Sequence, residues 1–249
     1  MFEDIEDSFK FLDELGIKVV DNDALNDLRI IRDEPSIVFV GLIKRGKSTL
    51  VNNLVGESIL PVGINPETFA CTVLKSTRGM SGEKLGILTR QPGGLAYGRD
   101  KTGRVETFPR SPAEFAKHIR RESGNLKYEE AFLAADLRLP LGVGVIDTPG
   151  LNDISVNYDK DLALLETAWQ HHGAVAAVLV SSVPPGVSGQ DISLLQSLKK
   201  HFNDRVIVVL KQTQSSLTSE ELRQAAEVWK PHGVQPMVIT DETPSSGLQ

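Results

Sequence analysis

The sequence contains a single cysteine and no long apolar run, and each of these shortages excludes a class of protein. One cysteine among 249 residues allows no internal disulfide and no cysteine-based zinc site, so a reducing, intracellular compartment is the expected setting. The longest apolar segments, such as 174–180 and 206–210, are far shorter than a bilayer-spanning helix and are typical of buried strands. The N-terminus is acidic where a secretory signal is basic. The sequence therefore predicts neither a secreted nor an integral membrane protein.

An excess of positive charge is also missing, because 27 lysines and arginines are outnumbered by 33 aspartates and glutamates, which gives a formal net charge of −6. Residues 1–34 carry eleven acidic and four basic side chains, a net of −7, so the remaining residues sum to about +1. Neither part offers a broad basic surface, and we therefore expect no nucleic-acid partner. The hydrophobic share of 40% and the charged share of 24% are ordinary for a globular protein of one large domain, with or without a small appendage.

Two unlike regions follow one another along the chain. In residues 1–34, apolar side chains recur at helical spacing, as in Phe2, Ile5, Phe9 and Leu12, which predicts a short helical segment. We expect this segment either to pack on its own domain or to pair with a helix outside this chain. From residue 35 onward, short β-branched runs alternate with helical stretches, which favours an α/β fold with a mainly parallel sheet and helices on both faces.

The periodicity also predicts where the individual elements lie. The predicted strands are 37–40, 72–75, 85–89, 137–139, 143–146, 174–180, 206–210 and 237–240. The predicted helices are 47–55, 111–122, 158–170, 190–200 and 219–229.

A phosphate-binding loop follows the first predicted strand. The segment from Gly41 to Ser48 has the pattern G-x-x-x-x-G-K-S and leads directly into a predicted helix. Gly41 and Gly46 allow the backbone to wrap a polyphosphate, and N–H groups at the helix N-terminus point at its oxygens. Lys47 is expected to reach the β- and γ-phosphates, while Ser48 supplies a hydroxyl for Mg²⁺. This strand–loop–helix setting predicts a nucleoside triphosphate site.

A second motif, Asp147-Thr-Pro-Gly150, follows another predicted strand about 100 residues further along the chain. A carboxylate at a strand end can lie close to Mg²⁺, and the N–H of Gly150 can reach the γ-phosphate. The motif is weak by itself, but after a phosphate loop at this spacing it indicates that the two strands are neighbours. We therefore expect Asp147 beside Ser48.

With their surroundings, these motifs resemble those of the dynamin-like GTPases, specifically the bacterial branch. Residues 39–56 resemble the family's phosphate loop and following helix, 59–74 its first switch and 145–153 its second. The resemblance implies a P-loop, dynamin-type G domain over residues 35–249, preceded by a neck-like helical segment over residues 1–34. The family's helical stalk and membrane-binding tip have no counterpart in this sequence.

The resemblance also implies an activity, a cofactor and partners. We expect the domain to bind and hydrolyse GTP with Mg²⁺ and to dimerise across the nucleotide face, with itself or with a related protein. Membrane contact is expected through regions outside this chain, as part of a larger membrane-remodelling protein. The implied location is cytoplasmic, including a peripheral position at the inner face of the cell membrane.

Individual roles follow from the family's motifs. Thr68 takes the place of the switch threonine that closes over the γ-phosphate and Mg²⁺, with Thr72 as the alternative. Lys44 or Arg45 is implied as the cation that stabilises transition-state charge, so the implied catalytic residues are Thr68, Lys44 and Arg45. The implied metal-binding residues are Ser48, Thr68 and Asp147. The implied nucleotide-binding residues are Gly41, Lys44, Arg45, Gly46, Lys47, Ser48, Thr49, Asp147, Gly150, Lys211 and Thr213.

Three positions depart from the patterns of related GTPases. Leu151 stands where Ras-like enzymes have a glutamine that orients water, and Ile43 replaces a polar loop residue of some relatives. After the strand 206–210, Lys211 matches the base-recognition motif, but Thr213 occupies the place of its aspartate. Loss of a charge-assisted pair to guanine could cost about 1.5–3 kcal/mol of discrimination.

These departures keep two alternative functions open. One is a nucleotide-binding switch or scaffold with little hydrolysis, which Leu151 and Thr213 motivate. The other is a Ras-like, ribosome-associated GTPase, which the missing aspartate and the long segment between residues 74 and 143 disfavour. Because no apolar periodic segment follows the last predicted strand, we expect this chain to belong to a longer protein.

Overall fold

The fold was analysed in a computed structural model that describes residues 35–62, 71–90, 94–119, 128–139, 143–151, 172–213 and 216–240. The predicted helical segment 1–34, the predicted helix 158–170 and the switch residue Thr68 lie outside the described residues.

The described strands join in one sheet. They are β1 (Ser36–Val40), β2 (Cys71–Ser76), β3 (Ala96–Arg99), β4 (Val105–Thr107), β5 (Glu130–Ala135), β6 (Gly144–Asp147), β7 (Ala174–Val183), β8 (Val206–Gln212) and β9 (Met237–Ile239). Their order across the sheet is β4-β3-β5-β2-β6-β1-β7-β8-β9.

Five α-helices are described with these strands. They are α1 (Lys47–Val55), α2 (Gly82–Arg90), α3 (Pro112–His118), α4 (Gly189–Phe202) and α5 (Ser219–Glu227), and a short 3₁₀ turn covers Lys230–His232. The last two α-helices begin with capping boxes, at Ser188 and Thr218, in which side chain and backbone satisfy each other's free groups. Pro112 opens α3 as predicted, at a position where its missing N–H costs nothing.

The pairing of the strands brings both sequence motifs to one edge of the sheet. β1 lies between β6 and β7 and is parallel to both, and Phe39 stands opposite Asp147. The loop after β1 and the carboxylate at the end of β6 therefore meet at the same edge. β2 runs antiparallel to β6 and begins at that edge, where Thr72 stands opposite Asp147.

Alternate residues of the strands fill two hydrophobic cores, one on each face of the sheet. On one face, Val38 and Val40 pack with apolar residues of α4, such as Leu194 and Leu198. On the other face, Phe39 packs with apolar residues of α1. The predicted α/β architecture, with a mainly parallel sheet covered on both faces, is therefore confirmed.

Two predicted strands are wrong. Residues 85–89 form part of α2, because the helical spacing of Leu85 and Leu88 outweighs the single β-branched residue between them. The N–H of Leu85 donates to the Ser81 carbonyl at 3.1 Å, one helical turn earlier, and Leu88 is buried. Residues 137–139 form a turn, in which the N–H of Leu139 bonds the carbonyl of Leu137 at 2.9 Å.

Three described strands, β3, β4 and β5, were not predicted. β5 is rich in alanine, which has a low strand propensity, yet it is paired on both sides and almost fully buried. None of the helices in the described part of the chain is long and apolar enough to cross a membrane.

Candidate active site

The phosphate loop follows β1 and ends where α1 begins. A Cβ on Gly41 would lie 2.3 Å from the carbonyl oxygen of Val180, so only glycine fits against β7 at this point. Gly46 is the N-cap of α1 and has a φ of 84°, a left-handed conformation that favours glycine. The two glycines of the motif are therefore required by the backbone itself.

Lys47 is buried and directed into its own loop. Its ammonium group donates to the carbonyl oxygens of Gly41, at 3.1 Å, and Leu42, at 3.2 Å. Burial lowers the pKa of Lys47 to about 8, and the negative charge of Asp147 acts in the opposite direction. The ammonium is thus held by weak neutral acceptors that a phosphate could replace.

Ser48 and Asp147 are brought together as expected. The Ser48 hydroxyl donates to Asp147 Oδ2 at 2.9 Å, and the carboxylate is fully buried. Burial raises the pKa of Asp147 to about 6, against the opposing effects of Lys47 and of the Ser48 hydrogen bond. The second oxygen, Oδ1, is buried and has no hydrogen-bond partner among the described residues.

This donor set fits a magnesium ion. A carboxylate and a hydroxyl are the oxygen ligands that Mg²⁺ takes beside nucleotide phosphates. A buried carboxylate oxygen without a partner is costly unless a cation completes the site. Asp147 and Ser48 therefore have the chemistry and the proximity to share one ion.

The second motif is joined to the phosphate loop through the backbone. The N–H of Ile43 donates to the Leu151 carbonyl at 2.9 Å, and the N–H of Leu151 donates to the Gly41 carbonyl at 3.2 Å. A Cβ on Gly150 would lie 2.8 Å from Ile43 Cα, so this position also requires glycine. Leu151 is buried in the core, which explains why an apolar residue follows the motif.

The two candidate cations of the loop lie in different surroundings. Lys44 is exposed and has a φ of 63°, unusual for a residue with a side chain. Arg45 is buried, and its guanidinium donates to the Gly186 carbonyl at 3.1 Å and to Asp191 Oδ2 at 3.3 Å. In this conformation the guanidinium of Arg45 is occupied by protein groups, whereas Lys44 lies at the rim of the loop.

The base-recognition residues follow β8. The side chain of Lys211 lies against the phosphate loop at Gly46. A Cβ built on Gly46 would be 3.0 Å from Lys211 Cδ. The Thr213 hydroxyl is 3.1 Å from the Val183 carbonyl oxygen and 3.0 Å from that of Pro184, and its N–H also bonds Val183. The single hydroxyl proton of Thr213 is therefore used to hold the end of β8 to the end of β7.

The remaining predicted residues divide into those near the site and those outside the described chain. Thr72 is buried on β2 opposite Asp147, and Thr49 is partly buried in the first turn of α1. Thr68 lies outside the described residues, so its role stays a prediction. Sequence reasoning missed Asp191, although S-x-x-D ahead of an apolar helix is the signal of a capping box.

A phosphate loop between a parallel strand and a helix, facing an acidic strand end, defines a P-loop nucleotide-binding domain. The family model described as the dynamin family matches residues 37–242, which is most of the chain. The chain therefore belongs to the dynamin family and contains its GTPase domain, as the sequence motifs predicted. This match also separates it from the Ras-like, ribosome-associated alternative.

Two curated relatives are bacterial. A bacterial dynamin-like protein of Nostoc punctiforme is 30% identical over 151 residues, which are 59% of this chain and 20% of that protein. Dynamin-like protein 2 of Campylobacter jejuni is 27% identical over 187 residues, which are 75% of this chain and 27% of that protein. The chain thus spans about a quarter or less of the length of these relatives.

A solved structure shares the fold. It is described as "An oligomerised bacterial dynamin pair provides a mechanism for the long range sensing and tethering of membranes". It superposes with a TM-score of 0.54 at 18% identity, over 88% of this chain and 32% of that chain.

Proposed function

We propose that this chain binds GTP with Mg²⁺ at the edge of the sheet where β1 and β6 end, and that it hydrolyses the γ-phosphate. The observation that carries the proposal is the contact between Ser48 and Asp147, with Lys47 buried beside it. These groups come from distant parts of the sequence, and their convergence has no evident use for the fold alone.

The chain's own groups account for binding. We propose that phosphate oxygens replace the carbonyls of Gly41 and Leu42 as the acceptors of the Lys47 ammonium group, because a charged acceptor is stronger. Ser48 and Asp147 would then hold Mg²⁺, with Thr68 as the proposed additional ligand. The ion, when bound, neutralises charge on the β- and γ-phosphates.

Hydrolysis also needs charge stabilisation and an oriented water molecule. Lys44 is the proposed cation for the transition state, because it is exposed at the rim of the loop. Ile43 and Leu151 have no polar side chain to orient water, so we propose that a second G domain, facing the nucleotide, completes the site. A nucleotide-binding switch with little hydrolysis is the alternative, and it is favoured if dimerisation does not raise turnover.

The wider role rests on the family. We propose that this domain is part of a larger membrane-remodelling protein that pairs with itself or with a related dynamin and contacts membranes through other regions. The support is that the chain matches only a fraction of each bacterial relative's length.

The test is calorimetric titration of the purified protein with GTP, ATP and XTP in the presence of Mg²⁺. We expect GTP to bind, and we expect Lys47→Ala to abolish binding, because Arg45, the other buried cation among the described residues of the loop, is bonded to Gly186 and Asp191. Lys200→Ala, which removes an exposed lysine of α4, is the matched control and should leave affinity unchanged. Near-native affinity of the Lys47→Ala protein would contradict the proposal.

A further inference from the structure

Arg45 connects the phosphate loop to the loop that follows β7. One guanidinium nitrogen, Nη1, donates to the Gly186 carbonyl at 3.1 Å and lies 3.3 Å from the Ser182 hydroxyl oxygen. The other, Nη2, is 3.3 Å from Asp191 Oδ2, and the two side chains are 4% and 0% exposed. The charges therefore form an ion pair that is shielded from water and salt.

The acceptor of this pair is held rigidly. The N–H and the hydroxyl of Ser188 donate to Asp191 Oδ2 at 2.8 Å and 2.7 Å, and the Asp191 N–H donates back to the Ser188 hydroxyl at 3.2 Å. Asp191 thereby caps α4, whose residues Leu194 and Leu198 are fully buried in the core. Arg45 is thus tied to an element that cannot move without disturbing the core.

The phosphate loop has a reason to need such an anchor. Arg45 lies between Lys44, with a φ of 63°, and Gly46, with a φ of 84°. A left-handed conformation is unfavourable for a residue with a side chain and persists only where the surroundings hold it. The hydrogen bonds from Lys47 to its own loop hold it in part, but in the proposed function the same ammonium also donates to a phosphate. The contacts of Arg45 are made to the loop after β7 and to the first turn of α4, so they involve none of the groups proposed to bind phosphate.

We propose that the buried Arg45–Asp191 pair keeps the phosphate loop in its phosphate-binding shape by tying it to the start of α4. The inference rests on the proposed nucleotide-binding function. It makes Arg45 a positioning residue that stays on Asp191 through turnover, which differs from the transition-state role that the family resemblance implies.

A double-mutant cycle tests the pair through GDP affinity, measured by calorimetry. Arg45→Ala and Asp191→Asn should each weaken GDP binding by about tenfold. The GDP affinity of the double variant should be within about twofold of that of the single variant that binds GDP less tightly. Arg45→Lys keeps the charge but has no fork to reach Gly186 and Asp191 together, so it should not restore affinity.

Thr218→Ala is the matched control, because it removes the capping hydroxyl of another helix, α5, and leaves Arg45, Asp191 and the Ser188 cap of α4 in place. It should lower the melting temperature while changing GDP affinity by less than about twofold. GDP binding weakened by Thr218→Ala as much as by Arg45→Ala would overturn the inference, since general destabilisation would then explain both. Additive losses in the double variant would overturn it as well.

A readout without nucleotide separates this inference from the proposed function. Amide hydrogen exchange at residues 42–47 of the nucleotide-free protein should be faster in Arg45→Ala and Asp191→Asn but unchanged in Thr218→Ala. This result would support the anchor even if the wild-type protein failed to bind GDP, a failure that would contradict only the proposed function. Unchanged exchange in all variants would overturn the anchor. So would a lower kcat at saturating GTP in Arg45→Ala alone, with unaltered affinity, because that is the result expected of a catalytic arginine.

Discussion

At the scale of single residues, the proposed site contains two ionisable groups that are held away from water. Lys47 and Asp147 are both buried. Burial lowers the pKa of Lys47 and raises the pKa of Asp147, so it favours the neutral form of each side chain. Their mutual attraction offsets only part of that effect. In the proposed complex, the negative phosphates would stabilise the Lys47 ammonium, and Mg²⁺ would stabilise the Asp147 carboxylate. This complex would offset the cost of burying both side chains.

The raised pKa of Asp147, about 6, predicts how metal binding depends on pH. Mg²⁺ needs the deprotonated carboxylate, so protons compete with the metal once the pH falls below this value. The Mg²⁺-dependent gain in GTP affinity should therefore be constant above pH 7 and should fall by up to about tenfold per pH unit well below pH 6. Calorimetry at a series of pH values, with and without Mg²⁺, measures this gain.

The control for the pH series is Asp147→Asn, which cannot ionise. Its Mg²⁺-dependent gain should be small and independent of pH. A wild-type gain that stays constant down to pH 5 would show that Asp147 does not bind the metal.

Because Thr213 stands in place of an aspartate, we expect a weak preference for guanine. We also expect that introducing the aspartate strengthens this preference but destabilises the fold. An aspartate at this position can accept from both guanine N–H groups, so Thr213→Asp should raise the GTP/ATP affinity ratio by about tenfold if about 1.4 kcal/mol is restored. The same change removes the hydroxyl that bonds the Val183 and Pro184 carbonyls, so the melting temperature should fall. Nucleotide titrations and a thermal melt give both values.

Thr213→Val separates the two effects, because it removes the hydroxyl without adding a carboxylate. It should lower the melting temperature and leave the GTP/ATP ratio unchanged. A wild-type preference for GTP of several thousandfold would contradict the prediction and would require another residue to recognise guanine.

At the scale of elements, the sequence predicts the central strands and the phosphate loop well, because their signals are local. β1 and β8 contain unbroken apolar runs, at 37–40 and 206–210, and the loop motif specifies its own backbone. β5 escaped prediction because its alanines become strand residues only through pairing with β2 and β3. The contact between Arg45 and Asp191 could not be predicted either. The two residues are 146 positions apart in the sequence, and only the order of the strands in the sheet brings the phosphate loop next to the start of α4.

A further prediction concerns the role of the N-terminal helical segment. If residues 2–15 form half of a bundle with a helix outside this chain, they are not needed for nucleotide binding. Their deletion should therefore leave GTP affinity within about threefold of the wild-type value, a free-energy change of less than about 0.7 kcal/mol. Titration of the shortened protein measures this, and a collapse of binding would place the segment in the core of the domain.

At the scale of the whole molecule, the domain has most of the groups that the proposed phosphate site needs but lacks some that hydrolysis needs. The described residues of the two motifs offer Lys44 as an exposed cation but, at Ile43 and Leu151, no polar side chain to orient water. In the proposed function, a second G domain supplies the missing groups. The state of assembly, rather than the fold of one chain, would then set the rate of hydrolysis.

GTP turnover per molecule should therefore rise with protein concentration and level off when dimers are saturated. Below the dimer dissociation constant, mass action predicts that the rate per molecule grows in proportion to concentration over about a tenfold range. Phosphate release at saturating GTP, measured together with the molar mass in solution, gives both curves, which should rise together.

Lys44→Ala should lower the plateau without moving the midpoint if Lys44 stabilises transition-state charge and makes no dimer contact. A rate per molecule that stays flat while the molar mass doubles would favour the switch with little hydrolysis over the dimer-activated GTPase.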